Sequence, residues 1–319
     1  MVVAAGAPTF VAGVDLGGTW LRVGLAGPDG IVRRRGRART AASEGPTGIL
    51  AQIDGLVREA VAAEPEASLS QLLLAVGVPG PVDSGTGVVA GAPNLPGWRG
   101  VPLRELLEKR LGCRCLVEHD ASLAALAEYR RGTGRGTQDF VYVTVSTGIG
   151  AGLILGGRLY RGYQGSAGEF GHMVIFPGGP ACNCGNRGCL EALASGTAIA
   201  REAGVASAFE VSRMASAGDP AARAILSRAA RYIGLALGGL INLLNPEAVA
   251  LGGGVVASSP DFWSEIMGSL GEASLPSVRG SCRVERAALG EDQGLLGAVE
   301  FGLDHWGDRL TPTPEVAVG

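Results

Sequence analysis

Apolar and polar positions near the amino terminus predict a strand followed by a hairpin. Residues 10–16 form a short apolar run that reads as a buried strand. A glycine turn with a hydroxyl residue, Gly17-Gly18-Thr19, follows it. Residues 21–25 and 31–35 then read as the two strands of a hairpin, because turn-forming residues separate them.

The same order of elements returns in the middle of the chain. Residues 140–145 are apolar and read as a strand, and the glycine-rich segment 146–152 reads as the turn that follows it. Residues 153–155 and 158–160 form the second hairpin. Because two separate segments share one order of elements, we predict two α/β domains built on one duplicated plan.

A chain of 319 residues is long for one hydrophobic core and suits two domains. The smaller domain is expected to span residues 1–122 and to take back 295–319, and the larger one to span 123–294. The larger domain should contain a long helix from about Ala221 to Leu244, with Asp219-Pro220 as its cap and first position.

Composition narrows the class of protein. Hydrophobic residues make up 46% of the chain and charged residues 18%, which is typical of a well-buried globular protein. A net charge of -3 provides no basic field for nucleic acid or anionic lipid. The apolar region 232–256 is interrupted by Asn242 and Asn245-Pro246, so it reads as a buried helix, a turn and a strand rather than a membrane span. We therefore expect a cytoplasmic protein without nucleic-acid or membrane partners.

One glycine-broken loop contains four potential metal ligands, namely His172, Cys182, Cys184 and Cys189. A single residue separates the first two cysteines, which is too close for easy disulfide geometry. Three thiolates and an imidazole complete the tetrahedral shell typical of structural zinc. Free buried thiols and a redox pair are the alternatives. The remaining three cysteines have no metal partner at useful spacing and are expected to pack as apolar residues.

The same loop carries two carboxylates, Glu169 and Glu191, that a four-ligand zinc site does not need. Because such a site has no open coordination position, the metal should shape its surroundings rather than perform chemistry. The two carboxylates are therefore free to bind another ligand.

The glycine turns suggest phosphate binding. Gly17-Gly18-Thr19 and the turn containing Thr147, Gly148 and Gly150 would present backbone N–H groups without obstructing side chains. Taken singly, each turn could equally be a plain hairpin connection. A third run, Gly252-Gly253-Gly254, either ends a strand or admits a flat adenine and its ribose. Together the turns predict a nucleotide held between two domains.

Asp120 is the candidate general base. It lies where the apolar strand-like run 115–117 gives way to the helical pattern of residues 123–130. Asp120 or Ser122 could simply cap that helix. A carboxylate at a strand end could also accept a hydroxyl proton, which the phosphorylation of a sugar requires.

With these motifs the chain resembles the ROK family of bacterial sugar kinases, and within it the ATP-dependent glucokinases. The pairing of Glu-x-Gly-His at 169–172 with Cys-x-Cys-Gly-x-x-Gly-Cys-x-Glu at 182–191 is highly specific. The further matching motifs are Asp15-Leu16-Gly17-Gly18-Thr19, Gly77-Val78-Pro79-Gly80-Pro81, Asn94-Leu95-Pro96-Gly97-Trp98, Ser146-Thr147-Gly148-Ile149-Gly150-Ala151-Gly152 and Leu251-Gly252-Gly253-Gly254.

The resemblance implies an actin-like, ribonuclease-H-like fold of two α/β domains with an interdomain cleft. It implies ATP-dependent phosphorylation of a hexose at its primary hydroxyl, with glucose giving glucose 6-phosphate, and a homodimer or homotetramer. Asp15 matches the partner of the nucleotide's Mg²⁺, and Asp120 matches the catalytic base. The remaining matches are Gly17, Gly18, Thr19, Thr147, Gly148, Gly150, Gly253 and Gly254 for the nucleotide, Glu169, His172, Glu191, Gly80 and Asn94 for the sugar, and His172, Cys182, Cys184 and Cys189 for zinc.

One departure affects the predicted sugar site. The family usually has Asn-Asp before this helix, whereas this chain has His119-Asp120, and Ser122 replaces a later Asn. The family's Asn touches sugar hydroxyls, so His119 changes the size and hydrogen bonding at that position. Mannose, fructose, N-acetylmannosamine or N-acetylglucosamine is therefore an alternative substrate, and His119 could also point away from the sugar.

The sequence gives less support to three other functions. The family includes sugar-responsive repressors, but the first strand begins at about Phe10, which leaves no room for an amino-terminal helix-turn-helix domain. A pure sugar-binding module would not need Asp120 together with two phosphate turns. Polyphosphate as the phosphoryl donor would favour a basic stripe, which the sequence lacks.

Overall fold

The computed structural model describes residues 8–92, 95–258 and 260–306, which form two compact units. Unit 1 contains the described residues up to Ala124, the segment Tyr163–Ser166 and the described residues from Asp292 onward. Unit 2 contains Ala125–Gly162 and Ala167–Glu291. The sequence did not predict that Tyr163–Ser166 would group with the first unit.

The described residues contain strands of two to eight residues and helices of four to 25 residues. The strands are β1 (Phe10–Leu16), β2 (Trp20–Ala26), β3 (Val32–Arg39), β4 (Leu72–Val78), β5 (Val82–Asp83), β6 (Val88–Val89), β7 (Val101–Pro102), β8 (Arg114–His119), β9 (Phe140–Val145), β10 (Ile149–Leu155), β11 (Arg158–Tyr160), β12 (Ala248–Gly252) and β13 (Arg283–Arg286). The helices are α1 (Gly45–Ala62), α2 (Leu103–Leu111), α3 (Asp120–Arg131), α4 (Leu190–Ala194), α5 (Gly196–Ala203), α6 (Ala208–Ser216), α7 (Pro220–Leu244), α8 (Gly254–Ala257), α9 (Pro260–Ala273), α10 (Pro276–Arg279) and α11 (Gln293–Asp304).

Unit 1 is built on a five-stranded sheet of order β3-β2-β1-β4-β8. β1 pairs antiparallel with β2 and parallel with β4, and β4 pairs parallel with β8. In this register Asp15 lies opposite Gly77, and Gly77 lies opposite Glu118. The carboxyl ends of β1, β4 and β8 therefore meet at one edge, where the segments that follow these strands also begin.

Unit 2 repeats this plan with a five-stranded sheet of order β11-β10-β9-β12-β13. β9 pairs antiparallel with β10 and parallel with β12, and β12 pairs parallel with β13. Thr144 lies opposite Gly252, so the glycine turns that follow β9 and β12 share one edge of the sheet. The predicted duplication of the strand and hairpin is confirmed.

Each unit has its own apolar core. β4 is buried along its whole length, as expected of a central parallel strand, and it contributes to the unit 1 core together with β1 and α1. In unit 2, α7 and β9 contribute many of the buried side chains. Packing in these cores fixes the position of the sheet edges at which the candidate site residues lie.

The long helix predicted before the third glycine run is confirmed as α7. The Asp219 side chain accepts hydrogen bonds from the backbone N–H groups of Ala221 and Ala222, and Asn245 ends the helix with a φ of 44°. α7 is long and apolar enough to cross a membrane, yet 61% of its most apolar window is buried inside the protein. This burial suits a core helix, as predicted for the apolar region from 232 onward.

Of the two possible caps of helix α3, Ser122 is excluded, because the helix begins at Asp120 and Ser122 is a buried residue inside it. One local prediction was wrong. Strand β10 begins at Ile149, so the turn after β9 contains only residues 146–148, and Gly150 belongs to the strand. The strand is longer because residues from Ile149 to Ile154 pair with β9, and most of them are buried. The glycines at 150 and 152 interrupt the apolar pattern by which the sequence would show this strand.

Candidate active site

Asp15 lies near the end of β1, at the carboxyl edge of the first sheet. Its carboxylate accepts a hydrogen bond from Arg22 across the β1–β2 ladder at 3.3 Å. Burial, followed by the nearby charge of Asp120, raises the pKa of Asp15 to about 6, and Arg22 only partly offsets the rise. The carboxylate is therefore largely desolvated, and Arg22 balances its negative charge only in part, which suits a group that binds a cation.

Helix α11 leaves room for this carboxylate. A Cβ atom on Gly294, in the first turn of α11, would lie 2.6 Å from Asp15 Oδ1. Glycine therefore allows the helix to approach the carboxylate closely. Sequence analysis missed this contact because the residues are distant in sequence and Gly294 belongs to no recognised motif.

The first glycine turn directly follows β1. The Gly17 N–H donates to Trp20 O at 2.9 Å, and Gly17 O accepts from the Thr40 hydroxyl at 2.6 Å. Gly18 and Thr19 are exposed. The structure therefore holds the turn by its backbone and leaves its tip open, as a phosphate-binding turn requires.

Asp120 is the first residue of α3, directly after β8. Its side chain is 39% exposed, and His119 Nε2 lies 3.3 Å from its Oδ1. The same oxygen accepts a hydrogen bond from the Ala121 N–H at 2.7 Å. Next to this pair, the buried Glu118 accepts a hydrogen bond from the His119 N–H at 2.9 Å. The local arrangement orients Asp120 and leaves part of its carboxylate accessible.

Gly80 lies on the segment after β4, at the same edge of the sheet. Its φ is +86°, and an added Cβ would collide with the backbone of Gly91. The position therefore requires glycine for close backbone approach. Asn94, the other weaker candidate for sugar binding in this part of the chain, lies outside the described residues.

The second glycine turn, in unit 2, is held by two hydrogen bonds from one helix. Ser146 O accepts from the Gly196 N–H at 2.7 Å, and Thr147 O accepts from the Thr197 hydroxyl at 2.9 Å. Both donors belong to the first turn of α5. The turn is therefore anchored through its carbonyl groups.

Glu191, on α4, contacts this same turn. Its Oε2 accepts a hydrogen bond from the Ile149 N–H at 2.8 Å, and a Cβ on Gly148 would lie 2.5 Å from that oxygen. The carbonyl of Ile149 lies against Gly171, in the segment that carries Glu169 and His172. The start of β10 therefore brings Glu191 and the Glu169–His172 segment together in unit 2.

A cavity of about 560 Å³ in unit 2 unites two of the predicted nucleotide-binding segments. Thr147 lies on its wall together with Gly254, the first residue of α8. The adjoining Gly253 has a φ of +96° and no space for a Cβ, because Val145 O is in the way. Sequence analysis missed the rest of the wall, including Arg201 and Phe209, because these residues form no motif.

The four predicted metal ligands lie together. One donor atom from each of His172, Cys182, Cys184 and Cys189 can be chosen so that all lie within 4.8 Å of one another. Cys182 Sγ lies 3.6 Å from His172 Nδ1, and Cys184 Sγ lies 3.7 Å from Cys189 Sγ. These separations and the donor types fit one tetrahedral ion such as zinc.

The thiols of this cluster differ in their environments. Burial raises the pKa of Cys189 to about 12 and also raises that of Cys182, whereas a hydrogen bond from the Asn186 N–H lowers that of Cys184. A bound cation favours the thiolate form at all three positions. Outside the cluster, burial raises the pKa of Cys113 and of Cys282 to about 11, as expected of inert thiols.

His172 connects the metal cluster to a carboxylate. Its Nδ1 faces Cys182, and its Nε2 lies 3.7 Å from Glu169 Oε2. The side chains of His172 and Glu169 are 30% and 36% exposed. The histidine can therefore use one nitrogen for a metal and direct the other toward Glu169 and a neighbouring ligand.

Comparison with known proteins identifies the family of this chain. The model of the ROK family matches residues 11–304. The chain is 35% identical over 311 residues to the glucokinase of Thermotoga maritima, covering 91% of this chain and 96% of that protein. The structure resembles a ROK hexokinase from Thermus thermophilus, with a TM-score of 0.80, 37% identity and coverage of 91% of this chain and 97% of that one. It also resembles a ROK family glucokinase from Streptomyces griseus in complex with glucose and AMPPNP, with a TM-score of 0.78, 32% identity and coverage of 92% and 98%.

Proposed function

This chain belongs to the ROK family and is a sugar kinase with the actin-like, ribonuclease-H-like fold, and we propose that glucose is its preferred acceptor. The reaction transfers the γ-phosphoryl group of ATP to the sugar's primary hydroxyl and yields glucose 6-phosphate. The observation that carries the proposal is the grouping of Asp15, the first glycine turn and a half-exposed Asp120 at one edge of the unit 1 sheet. A phosphate-binding turn, a cation-binding carboxylate and a general base are the parts that phosphoryl transfer requires.

Asp120 is the general base in this proposal. Its carboxylate is accessible, and its orientation is fixed by the Ala121 N–H and by His119. It would accept the proton of the sugar hydroxyl as that oxygen attacks the γ-phosphorus, and the leaving group would be ADP. Positioning the hydroxyl contributes as much as accepting its proton, because phosphoryl transfer depends on in-line geometry.

The donor phosphates are assigned to the glycine turns. Gly18 and Thr19 in unit 1, and Thr147 and Gly148 in unit 2, would donate backbone or hydroxyl hydrogens to phosphate oxygens. Gly17 and Gly150 are assigned to the shaping of these turns, because the Gly17 N–H donates to Trp20 O and Gly150 pairs with Thr144 in the sheet. Mg²⁺, which an ATP-using kinase implies, would be held by Asp15 and would neutralise charge on these phosphates. The largely buried carboxylate of Asp15 suits that role because oxygen is the ligand that Mg²⁺ prefers.

The cavity beside Thr147 and Gly254 is the proposed place of the adenosine. Its volume of about 560 Å³ is ample for a nucleoside, and Gly254, which follows Gly253, borders it with backbone alone. Phosphates bound at the second glycine turn would lie at the wall of this cavity, since Ser146 and Thr147 belong to both.

Sugar hydroxyls are assigned to Glu169, His172 and Glu191, with Gly80, Asn94 and His119 as further contacts. The free oxygen of Glu191 and the Nε2 of His172 supply an acceptor and a donor, which suits the mixed hydrogen bonding of a hydroxyl. Because His119 faces Asp120, it would lie beside the hydroxyl that reacts. A different hexose, such as mannose, fructose or an N-acetylated hexosamine, is the alternative acceptor on this ground.

Zinc is the proposed structural metal of His172, Cys182, Cys184 and Cys189. The four donors match its preferred ligands, and a closed shell of four protein ligands gives the ion a structural role. Gly188 has a φ of +75° and no space for a Cβ, because Phe176 O is in the way, so glycine lets the loop turn back tightly enough to join Cys189 to the other ligands. Three zinc-binding thiolates suit a reducing compartment, so we also propose a cytoplasmic location and, following the family, a homodimer or homotetramer.

A coupled assay of ADP release tests the proposed function. The protein would be supplied with ATP and Mg²⁺ and, in turn, with glucose, mannose, fructose, N-acetylglucosamine and N-acetylmannosamine. We expect the highest kcat/KM with glucose, and an assay specific for glucose 6-phosphate should account for all of the ADP. A different leading sugar would move the assignment to that hexose, and absence of turnover with all five would favour a non-catalytic sugar-binding module.

A further inference from the structure

We infer that the unit 2 cavity recognises the base of the donor by stacking on Phe209 and that the side chains on its wall do not discriminate between purine edges, so that purine nucleoside triphosphates serve almost equally well. This inference rests on the proposed function, because it concerns the donor site of the same kinase. It names the substrate class as purine nucleoside 5′-triphosphates rather than ATP alone.

Phe209 is an exposed aromatic residue at the wall of a cavity. It lies in the first turn of α6, and 76% of its surface is accessible. Its neighbours on the wall include Val205, Ala206 and Ala208, which offer only apolar side chains. A flat base placed against this ring would cover apolar surface that otherwise faces water, and such stacking tolerates any base with a sufficiently large π face.

Two hydroxyl groups on this cavity wall already donate their hydrogens within the protein. Thr197 donates its hydroxyl hydrogen to Thr147 O at 2.9 Å, and Ser258 donates its own to Val255 O at 2.7 Å. Ser207 Oγ accepts the Glu210 N–H as the cap of α6 at 3.3 Å, and its hydroxyl hydrogen can still donate. Because a hydroxyl both donates and accepts, Ser207 can pair with the amine of adenine or with the carbonyl oxygen of guanine. Adenine presents ring nitrogens that need donors, and the Thr197 and Ser258 hydroxyls would have to break an internal hydrogen bond to supply one.

Arg201 is the charged side chain on the cavity wall. One of its terminal nitrogens donates to Ala192 O at 2.9 Å, and its remaining N–H groups can donate elsewhere. A donor group cannot pair with the exocyclic amine of adenine, which is itself a donor, but it can pair with the corresponding carbonyl oxygen of guanine or hypoxanthine. Strict selectivity for ATP would need a side chain that disfavours the carbonyl oxygen of guanine or hypoxanthine. Arg201, as a donor, does not disfavour that oxygen.

The size of the base remains the main criterion. A purine covers more of the Phe209 ring than a pyrimidine does, and stacking energy follows the area that is covered. We therefore expect ATP, GTP and ITP to have kcat/KM values within about tenfold of one another, and CTP and UTP to be used less well by roughly tenfold or more.

Variants of Phe209 test the stacking in the sugar-kinase assay. Phe209→Ala should raise the KM for ATP and for GTP by about 5- to 100-fold, with the KM for the hexose unchanged, whereas Phe209→Tyr should restore both values. Leu243→Ala is the matched control, because Leu243 is 80% exposed on α7 and is not among the residues that line the cavity. An unchanged KM for ATP in Phe209→Ala, or a preference for ATP over GTP above about 50-fold in the wild type, would overturn the inference.

Direct binding separates this inference from the proposed function. Isothermal titration calorimetry of the full-length protein with ATP, GTP and CTP, in the presence of Mg²⁺ and without sugar, needs no turnover. Similar Kd values for ATP and GTP that both weaken in Phe209→Ala would support the inference even if no hexose were phosphorylated. Binding of ATP alone, or equal binding by wild type and Phe209→Ala, would reject it even if glucose were phosphorylated rapidly.

Discussion

His119 Nε2 lies 3.3 Å from Asp120 Oδ1, so the imidazole faces the carboxylate that we propose as general base. The two residues are adjacent in sequence but belong to different elements, because β8 ends at the histidine and α3 begins at the aspartate. The His119 side chain is only 15% exposed, which limits its freedom to turn away. The residue that departs from the family pattern therefore lies next to the proposed chemistry.

Asp120→Asn is expected to lower kcat by about 10²- to 10⁴-fold, because the amide retains the acceptor for the Ala121 N–H but no longer accepts a proton. Steady-state kinetics should show a much smaller change in the KM values. The matched control is Asp54→Asn in α1, where the carboxylate pairs with Arg58 and Arg110 in the same unit. Near-normal turnover by Asp120→Asn would refute the assignment of the base.

His119→Ala is expected to lower kcat by about 3- to 30-fold for every hexose tested, since the close contact between the imidazole and the Asp120 carboxylate is lost. His119→Asn should recover part of that loss because its amide is also a donor. The measurement is kcat and KM of both variants against the same panel of sugars. A change confined to the KM of one hexose would instead make His119 a reader of sugar identity.

Asp15→Asn is expected to stabilise the ligand-free protein while it abolishes most of the activity. Folding raises the pKa of Asp15 from its ordinary 3.8 to about 6, so the native state binds this proton more tightly than the unfolded state. The ionised form therefore costs stability above pH 6, and this cost disappears as the pH falls below the unfolded-state value. Denaturant unfolding should show Asp15→Asn to be more stable by about 1–3 kcal/mol at pH 8 and nearly equal to wild type near pH 4. Equal stability of the two proteins at pH 8 would argue against a raised pKa.

Removal of the metal is expected to weaken sugar binding before nucleotide binding. His172 would bind zinc through Nδ1 while its Nε2 lies beside Glu169, so loss of the ion frees the imidazole to rotate. Titration with a chelator, followed by separate measurements of the Kd for glucose and for ATP, tests this order. Metal analysis should give about one zinc per chain, reduced in Cys184→Ser and retained in Cys282→Ser, whose thiol lies outside the cluster. Parallel loss of both affinities would contradict the assigned role of His172.

Glu191→Ala is expected to raise the KM for both ATP and the hexose by about 3- to 30-fold. Its Oε2 accepts the Ile149 N–H at the start of β10, so its removal loosens the second glycine turn as well as the proposed contact to the sugar. Glu202→Ala serves as the control, since Glu202 forms an exposed ion pair with Arg228. If only the KM for the hexose changed, the hydrogen bond to Ile149 would not contribute to ATP binding.

Local sequence patterns predicted the secondary elements that carry their own signals. β1 and β9 were predicted with the observed limits, because each is an apolar run that ends in a glycine turn. α7 was predicted to within a residue, because Asp219 and Pro220 mark its start. Gly150 was misplaced in a turn, because a strand that contains glycines at 150 and 152 shows little of the alternation that identifies strands.

Contacts between distant segments had no signal in the sequence. Gly294 leaves space for Asp15, although almost 280 positions separate them in the sequence. Phe209 lies on the cavity wall, although no motif marks α6 or the loop before it. The hydrogen bond from Ile149 to Glu191 likewise joins residues that sequence analysis assigned to separate functions. These relationships arise from tertiary packing, which local propensity does not encode.

The matching sheets suggest an account of how the chain arose. Read across the sheet, each has two antiparallel strand pairings followed by two parallel pairings. In each sheet the strand that comes first in sequence, β1 or β9, leads directly into a turn that contains glycine and threonine. Duplication and fusion of a gene for a single half-length module would leave this arrangement behind. Such an ancestor would already have carried one anion-binding turn, and later divergence would have given the first copy Asp15 and the second copy its cysteine loop.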